Sequence, residues 1–214
     1  MTDGAVTGVT DYRGHMVLQR DGYADLFRKF LDRMKPDRIV EIGTASGGLT
    51  LTLADLIEQM KLHCVIRSYD IARHAGVTAL LRNGVQLITV NLFDDTYRCF
   101  NQNATREVVS LIEFIRQPGK TVVMCDGGNK VAEFNLLAGV IKDGDHIMAH
   151  DFAWSENVFK SEIENKIWNW HQISGDDVFA AIDKNSLKPF WSRDFEQYAW
   201  LSMVRRREDG EPTW

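Results

Sequence analysis

A chain of 214 residues, 44% of them hydrophobic, can bury one sizeable core and gives no reason to expect two. Its 25 basic and 30 acidic side chains leave a net charge of -5 and a pI near 5.7. That balance excludes the general basic footprint of a nucleic-acid or anionic-membrane binder and favours a small molecule or a protein as partner. No apolar run reaches the roughly 18 residues a membrane span needs, and the first ten residues lack the basic-then-apolar order of a secretory leader. Three scattered cysteines, Cys64, Cys99 and Cys125, do not make a disulfide framework, so a cytoplasmic protein with free thiols is expected.

Residues 1–21, with Gly4, Gly8 and Gly14 among polar neighbours, read as an arm or lid ahead of a single domain over 22–214. Leu26, Phe27, Phe30, Leu31 and Met34 form one apolar stripe, which predicts a helix from residue 22 or 23 to 34, stopped by Pro36. From there short apolar runs alternate with helical patterns. Strands are expected at 38–43, 64–69, 86–91, 121–126 and 146–151, with helices over 49–60, 71–82, 104–116 and 130–141 between them. Such alternation predicts an α/β, Rossmann-like domain whose mostly parallel sheet is covered on both faces, with ligand-binding loops just after the strands. Beyond residue 151, where all six tryptophans lie, the pattern predicts helices over 156–170 and 176–184. A late antiparallel strand at 199–206 follows, paired with 187–191, where Pro189 favours an edge or bulge.

The segment Glu41-Ile42-Gly43-Thr44-Ala45-Ser46-Gly47-Gly48 joins the first predicted sheet strand to a helix. Glycines allow a tight turn and close approach of a ligand to the main chain, and the exposed amides at a helix start suit a carboxylate. Glu41 either accepts a hydrogen bond from a ligand amino group or orients the loop. The segment lacks both the GxGxxG dinucleotide spacing and the GxxxxGK[ST] phosphate loop. After the second strand, Asp70 is placed to hold two ribose hydroxyls or to cap the helix expected at Ile71. After the third, Phe93 and Asp94 offer an aromatic wall and a carboxylate acceptor for adenine.

Asp126, after the fourth strand, and His150 with Asp151, after the fifth, form a candidate oxygen-and-nitrogen site for Mg²⁺, Mn²⁺ or another divalent ion. An ion there would orient a substrate hydroxyl and lower its pKa. His150 has a second reading, as a core histidine or a supporting partner. Lys130, behind Gly127, Gly128 and Asn129, either stabilises a developing oxyanion or is a solvated lysine in a first helical turn. Trp154 is placed to wall an acceptor pocket.

DYRGHMVLQR at 11–20, PDRIVEIGTASGGLTLTLADLI at 36–57 and CDGGNKVAEFNLLAGVIKDGDHIMAHD at 125–151 resemble the class I S-adenosylmethionine-dependent methyltransferases. More narrowly, they resemble the family that groups cephalosporin-hydroxylase-type proteins with rhamnosyl O-methyltransferases. The resemblance implies donor binding by the Glu41–Gly48 loop, with Gly43, Thr44, Ala45, Ser46, Gly47 and Gly48, and by Asp70; Phe93, Asp94 and Asp126 complete the candidate donor site as read from the residues themselves. It further implies a divalent ion near Asp126 and the His150-Asp151 pair, for which Asp126, His150 and Asp151 are the candidate ligands and Mg or Mn the candidate ions; His150, Lys130 and Asp151 are the catalytic candidates from the residues themselves. His150 stands where related metal-dependent enzymes usually carry a carboxylate. The implied activity is O-methylation of a small hydroxylated metabolite or sugar-containing product. Two alternatives stand beside it: a metal-independent methyltransferase using His150 or Lys130 for proton transfer, and a non-catalytic donor-binding scaffold. Homo-oligomers are common in this resemblance class.

Overall fold

Strand β3 (Arg38–Ile42) shows how the sheet is covered: Ile39 belongs to one buried apolar cluster, while Val40 and Ile42 belong to another. Side chains alternate across a strand, so a strand buried at every residue must have helices on both faces. The structure, a computed structural model, describes residues 10–73, 84–96 and 98–206. On the first face, α1 (Tyr23–Met34) and α2 (Gly48–Gln59) pack Phe27, Phe30, Leu31 and Leu53 against Ile39 and Ile66. On the second, α3 (Thr105–Arg116) and α4 (Lys130–Ala138) contribute Leu111, Ile115, Phe134 and Leu137. Phe27 and Phe30 are each 1% exposed, so truncating either to Ala costs about 3–5 kcal/mol.

β4 (Val65–Asp70), β5 (Val85–Thr89), β6 (Thr121–Cys125) and β7 (His146–Ala149) run parallel to β3, with Ile42 level with Tyr69 on one side and Cys125 on the other. β10 (Leu187–Pro189) and β11 (Leu201–Arg205) complete a seven-stranded sheet in the order β10-β11-β7-β6-β3-β4-β5, β11 being antiparallel to both neighbours. The expected α/β, mostly parallel architecture with a late antiparallel strand is the one observed, and Pro189 sits on the edge strand. The sheet order reverses at β3, and a ligand crevice opens at such a switch point beyond the strand ends.

The details between these elements go beyond the expected pattern or differ from it. Residues 10–21 hold an antiparallel hairpin, β1 (Thr10–Tyr12) with β2 (His15–Val17), pinned to α2 by Tyr12 Oη and Arg13 Nη1 donating to Asp55. The helix expected over 71–82 lies outside the described residues from 74 onward, and residues 71–73 form a bend. The helix expected over 156–170 is only α5 (Glu156–Val158) running into a π-helical turn, Phe159–Ile163. Asn165 then takes a left-handed φ of 56°, which Asn tolerates better than most residues, and turns Trp168 inward. The chain continues through β8 (Phe152–Ala153), paired with β9 (Ile173–Ser174), then α6 (Gly175–Lys184) and an unforeseen short helix, α7 (Ser192–Glu196). Ser174 and Asp177 cap α6 reciprocally. No helix among the described residues is long and apolar enough to cross a membrane.

Candidate active site

The loop after β3 is shaped by main-chain contact. Gly43 has φ 95°, and a Cβ there would collide with the Asp126 carbonyl, so only glycine lets the β3 and β6 ends approach this closely. Ala45 (φ 45°) and Gly47 (φ 78°) continue the left-handed turns into α2. Asp70 braces the loop: its Oδ2 accepts from the Ala45 amide at 2.8 Å, and its Oδ1 from the Ala72 amide at 3.1 Å. A carboxylate has about four acceptor directions, so two remain for a ligand's hydroxyls. Glu41 is 1% exposed and turned into the protein, where its Oε2 accepts from Thr50 and Ser68 hydroxyls, each at 2.5 Å. Burial pushes its carboxyl up to about 7 against those hydrogen bonds. Its contacts are with α2 and β4, and it lines neither of the two crevices described below.

A crevice of about 230 Å³ runs beyond β3, β4 and β5, lined by Gly43, Ala45, Asp70, Leu92, Phe93 and Asp126 among others. Phe93 is buried and stacks on Phe100 at 5.9 Å. Asp94 does not line this crevice. Its carboxylate accepts from the Thr96 hydroxyl and the Arg98 and Cys99 amides, which holds the 94–99 turn and keeps its pKa down at about 2. Glu133, which the sequence did not single out, lines the crevice and accepts from the Gly127 and Asn129 amides at 3.0 Å. Burial pushes its carboxyl to about 7.

A second crevice of about 260 Å³ adjoins the first and shares Gly43, Ala45, Asp126 and Gly127 with it. Thr44, Ser46 and Gly48 line this second space, with Met16, Leu18, Gln19, Lys130, His150, Asp151, Trp168, Trp170 and Gln172. Gly47 lines neither crevice and serves the turn that starts α2.

Asp126, His150 and Asp151 each offer a ligand atom within 4.8 Å of the others. His150 Nδ1 lies 3.2 Å from Asp126 Oδ1 and 3.5 Å from Asp151 Oδ1, so the three are brought together although His150 lies along a strand direction. Asp151 makes this possible by leaving the strand with φ 57°, a strained conformation for a non-glycine residue. His150 is 1% exposed, set between the rings of Trp168 (4.8 Å) and Trp200 (4.7 Å), and its Nε2 has no hydrogen-bond partner.

Lys130 is buried, not solvated. Its ammonium donates to Asp151 Oδ2 (2.9 Å), the Gly127 carbonyl (2.9 Å) and Gln172 Oε1 (3.0 Å), with Asp126 Oδ1 at 3.5 Å. Burial alone would lower its pKa, but Asp126, Asp151 and Glu133 outweigh that and raise it, which keeps the amine charged. Trp168 Nε1 donates to Asp151 Oδ1 at 2.5 Å. Gln19, 1% exposed, donates to Asp126 Oδ2 at 3.3 Å and accepts from Trp200 Nε1 at 2.8 Å. Gln19, Trp168, Gln172 and Trp200 were not singled out for the site, because nothing local in the sequence marks residues that meet only through the fold. Trp154, expected at an acceptor wall, lies outside both crevices, where its Nε1 donates to Glu196. Burial pushes the Cys64 thiol up to about 12 and raises Cys125 as well, so neither is a nucleophile at neutral pH.

No protein-family model matches the sequence, and no curated protein matches it. Solved structures do. The apo form of CmcI is 13% identical with a TM-score of 0.60, covering 92% of this chain and 76% of that one. Its Mg-SAM form is 14% identical with a TM-score of 0.59, covering 91% and 76%. An O-methyltransferase family protein from Burkholderia thailandensis is 12% identical with a TM-score of 0.53, covering 88% and 60%. Together with the sheet order and the crevice at its switch point, these likenesses show that the chain has the fold of the class I S-adenosylmethionine-dependent methyltransferases.

Proposed function

We propose that the protein is an S-adenosylmethionine-dependent O-methyltransferase acting on a hydroxyl of a small metabolite or sugar-containing product, assisted by a divalent ion. One observation carries this reading: two crevices meet at Gly43, Ala45, Asp126 and Gly127, so a donor in one and an acceptor in the other face each other at a carboxylate. Asp70, Phe93 and the amides of the 43–48 loop suit a nucleoside with a carboxylate tail. Asp126, His150 and Asp151 fit a divalent ion in donor type and spacing. Likeness to a protein solved with Mg and SAM supports both assignments.

The donor, when bound, supplies an electrophilic methyl group, and an ion on the three ligands supplies acidity to the acceptor oxygen. This chain's own residues do the rest. Asp126 stands in both crevices and orients the acceptor hydroxyl toward the donor. In the metal-independent alternative, the His150 imidazole beside Asp126 takes the hydroxyl proton, while the Lys130 ammonium stabilises charge developing on that oxygen. Gln19, Trp168 and Trp200 hold the carboxylates and the imidazole, and the hairpin at 10–17 with Leu18 and Gln19 closes the acceptor crevice as a lid. A lysine held in its charged form is no base, so the metal-independent alternative rests on His150. The free thiols suit a cytoplasmic enzyme.

Calorimetric titration with S-adenosylmethionine tests the reading, with one donor per chain expected. An acceptor screen with and without Mg²⁺ or Mn²⁺ follows. Absence of donor binding by folded protein rejects it, and donor affinity without turnover across a broad panel selects the scaffold alternative.

A further inference from the structure

The Lys130 ammonium is engaged by the same two carboxylates, Asp126 and Asp151, that a divalent ion would need. Its three N–H groups are used by Asp151, Gly127 and Gln172 at 2.9–3.0 Å, which is all an ammonium can donate, and Asp126 adds a fourth, electrostatic contact. Asp151 Oδ2 is engaged by that ammonium, and Asp151 Oδ1 by Trp168. An ion bound to Asp126, His150 and Asp151 would lie beside a fixed positive charge at contact range, in a place largely screened from water. Ion and ammonium therefore compete for the same carboxylates.

The fold also gives the lysine somewhere to go. Lys130 and Gln172 line the acceptor crevice on one side and, on the other, an open depression of about 730 Å³ bordered by Thr96, Arg98, Asn129 and Asn135. The side chain thus forms part of a wall between a closed space and an open one. Its position in the first turn of α4, where helix-end amides disfavour a cation, means that only the carboxylates and carbonyls of the inward state hold it there.

We propose that Lys130 is a displaceable internal cation: inward, it neutralises Asp126 and Asp151 and stands in for a divalent ion, and a divalent ion binds only as the side chain swings toward the open depression. This rests on the metal assignment above and is independent of the donor. The site then has two charge states, lysine-in and metal-in, and the lysine keeps divalent affinity weak.

The test is equilibrium binding of Mn²⁺ alone to the full chain, followed by the paramagnetic resonance of free Mn²⁺, for wild type and Lys130→Met. Loss of a competing charge is expected to tighten Mn²⁺ binding by roughly tenfold or more, and Lys130→Arg to leave it weak. Equal or weaker binding by Lys130→Met overturns the proposal. Should that variant not fold, wild type answers by amine acylation and peptide mass spectrometry. Mn²⁺ is expected to accelerate labelling of Lys130 specifically, and an unchanged rate overturns the proposal. Absence of Mn²⁺ binding in both proteins also overturns it, while S-adenosylmethionine titration of the same samples shows separately whether the methyltransferase reading survives.

Discussion

The donor crevice is assembled largely from main chain, the acceptor crevice from side chains. Around Ala45 and Asp70 the contacts are turns and an amide-to-carboxylate bond across 25 positions, and Gly43 packs main chain to main chain against Asp126. Around His150, the floor is a network in which Gln19 and Trp200 meet across 181 positions, and Lys130, Asp151 and the Trp168–Gln172 loop come from three separate segments. A main-chain site is fixed by backbone geometry and tolerates side-chain exchange except at glycine. A side-chain network depends on each member, because an unpaired buried partner is costly.

This contrast can be broken by substitution. The largest expected effect is from Gly43→Val, whose side chain would strike the Asp126 main chain at a left-handed φ. A stability loss of more than about 4 kcal/mol or loss of soluble protein is expected in urea unfolding, and a stable, donor-binding variant would show the loop to be looser than described. Next, Asp151→Asn is expected to lower turnover by about a thousandfold while changing donor affinity by less than about tenfold. Parallel loss of both would merge the two halves into one. Calorimetry and rate assays on the same preparation decide it.

Stability against pH sharpens the comparison on the donor side. Glu41 and Glu133 both have folded-state pKa values of about 7, raised above the ordinary 4.5 chiefly by burial, so the folded protein holds protons that the unfolded chain has released. Stability from these protons is fully present below pH 4.5 and is lost as pH rises from 4.5 through 7, by an upper bound of about 3.5 kcal/mol for each carboxyl. Urea midpoints should fall between pH 5 and pH 7, and Glu41→Gln should flatten the slope; equal slopes would remove Glu41 from this account. The smallest effects distinguish two tryptophans. Trp168→Phe deprives Asp151 of a donor and should lower kcat by roughly tenfold, whereas Trp154→Phe, outside both crevices, should stay within about twofold.

The same contrast explains what the sequence revealed. The alternation of apolar runs specified the parallel sheet and its late antiparallel strand, and EIGTASGG marked the loop at the switch point, because both are local patterns. Asp126, His150 and Asp151 could be placed together because all follow adjacent strands. Burial of Lys130 was not legible, since a lysine after two glycines at a helix start looks solvated until the partners Asp151 and Gln172 are in place. The helix expected through residue 170 failed for a related reason: Phe159 and Ile163 carry helical spacing, but the Trp168 bond to Asp151 draws the chain out of it.

The bond between Gln19 and Trp200 also bears on how the molecule is made. On a ribosome, the strands and loops that frame the donor crevice emerge by the first turn of α4, whereas Trp200 follows roughly 70 residues later, several seconds at about 5–20 residues per second. During that interval Gln19 has no Trp200 to bond, whereas His150, the imidazole partner of Asp126, follows only 20 residues after Lys130. The reactive chamber is therefore the last part of the site to have all its residues clear of the ribosome, and its closure waits on the end of the sheet.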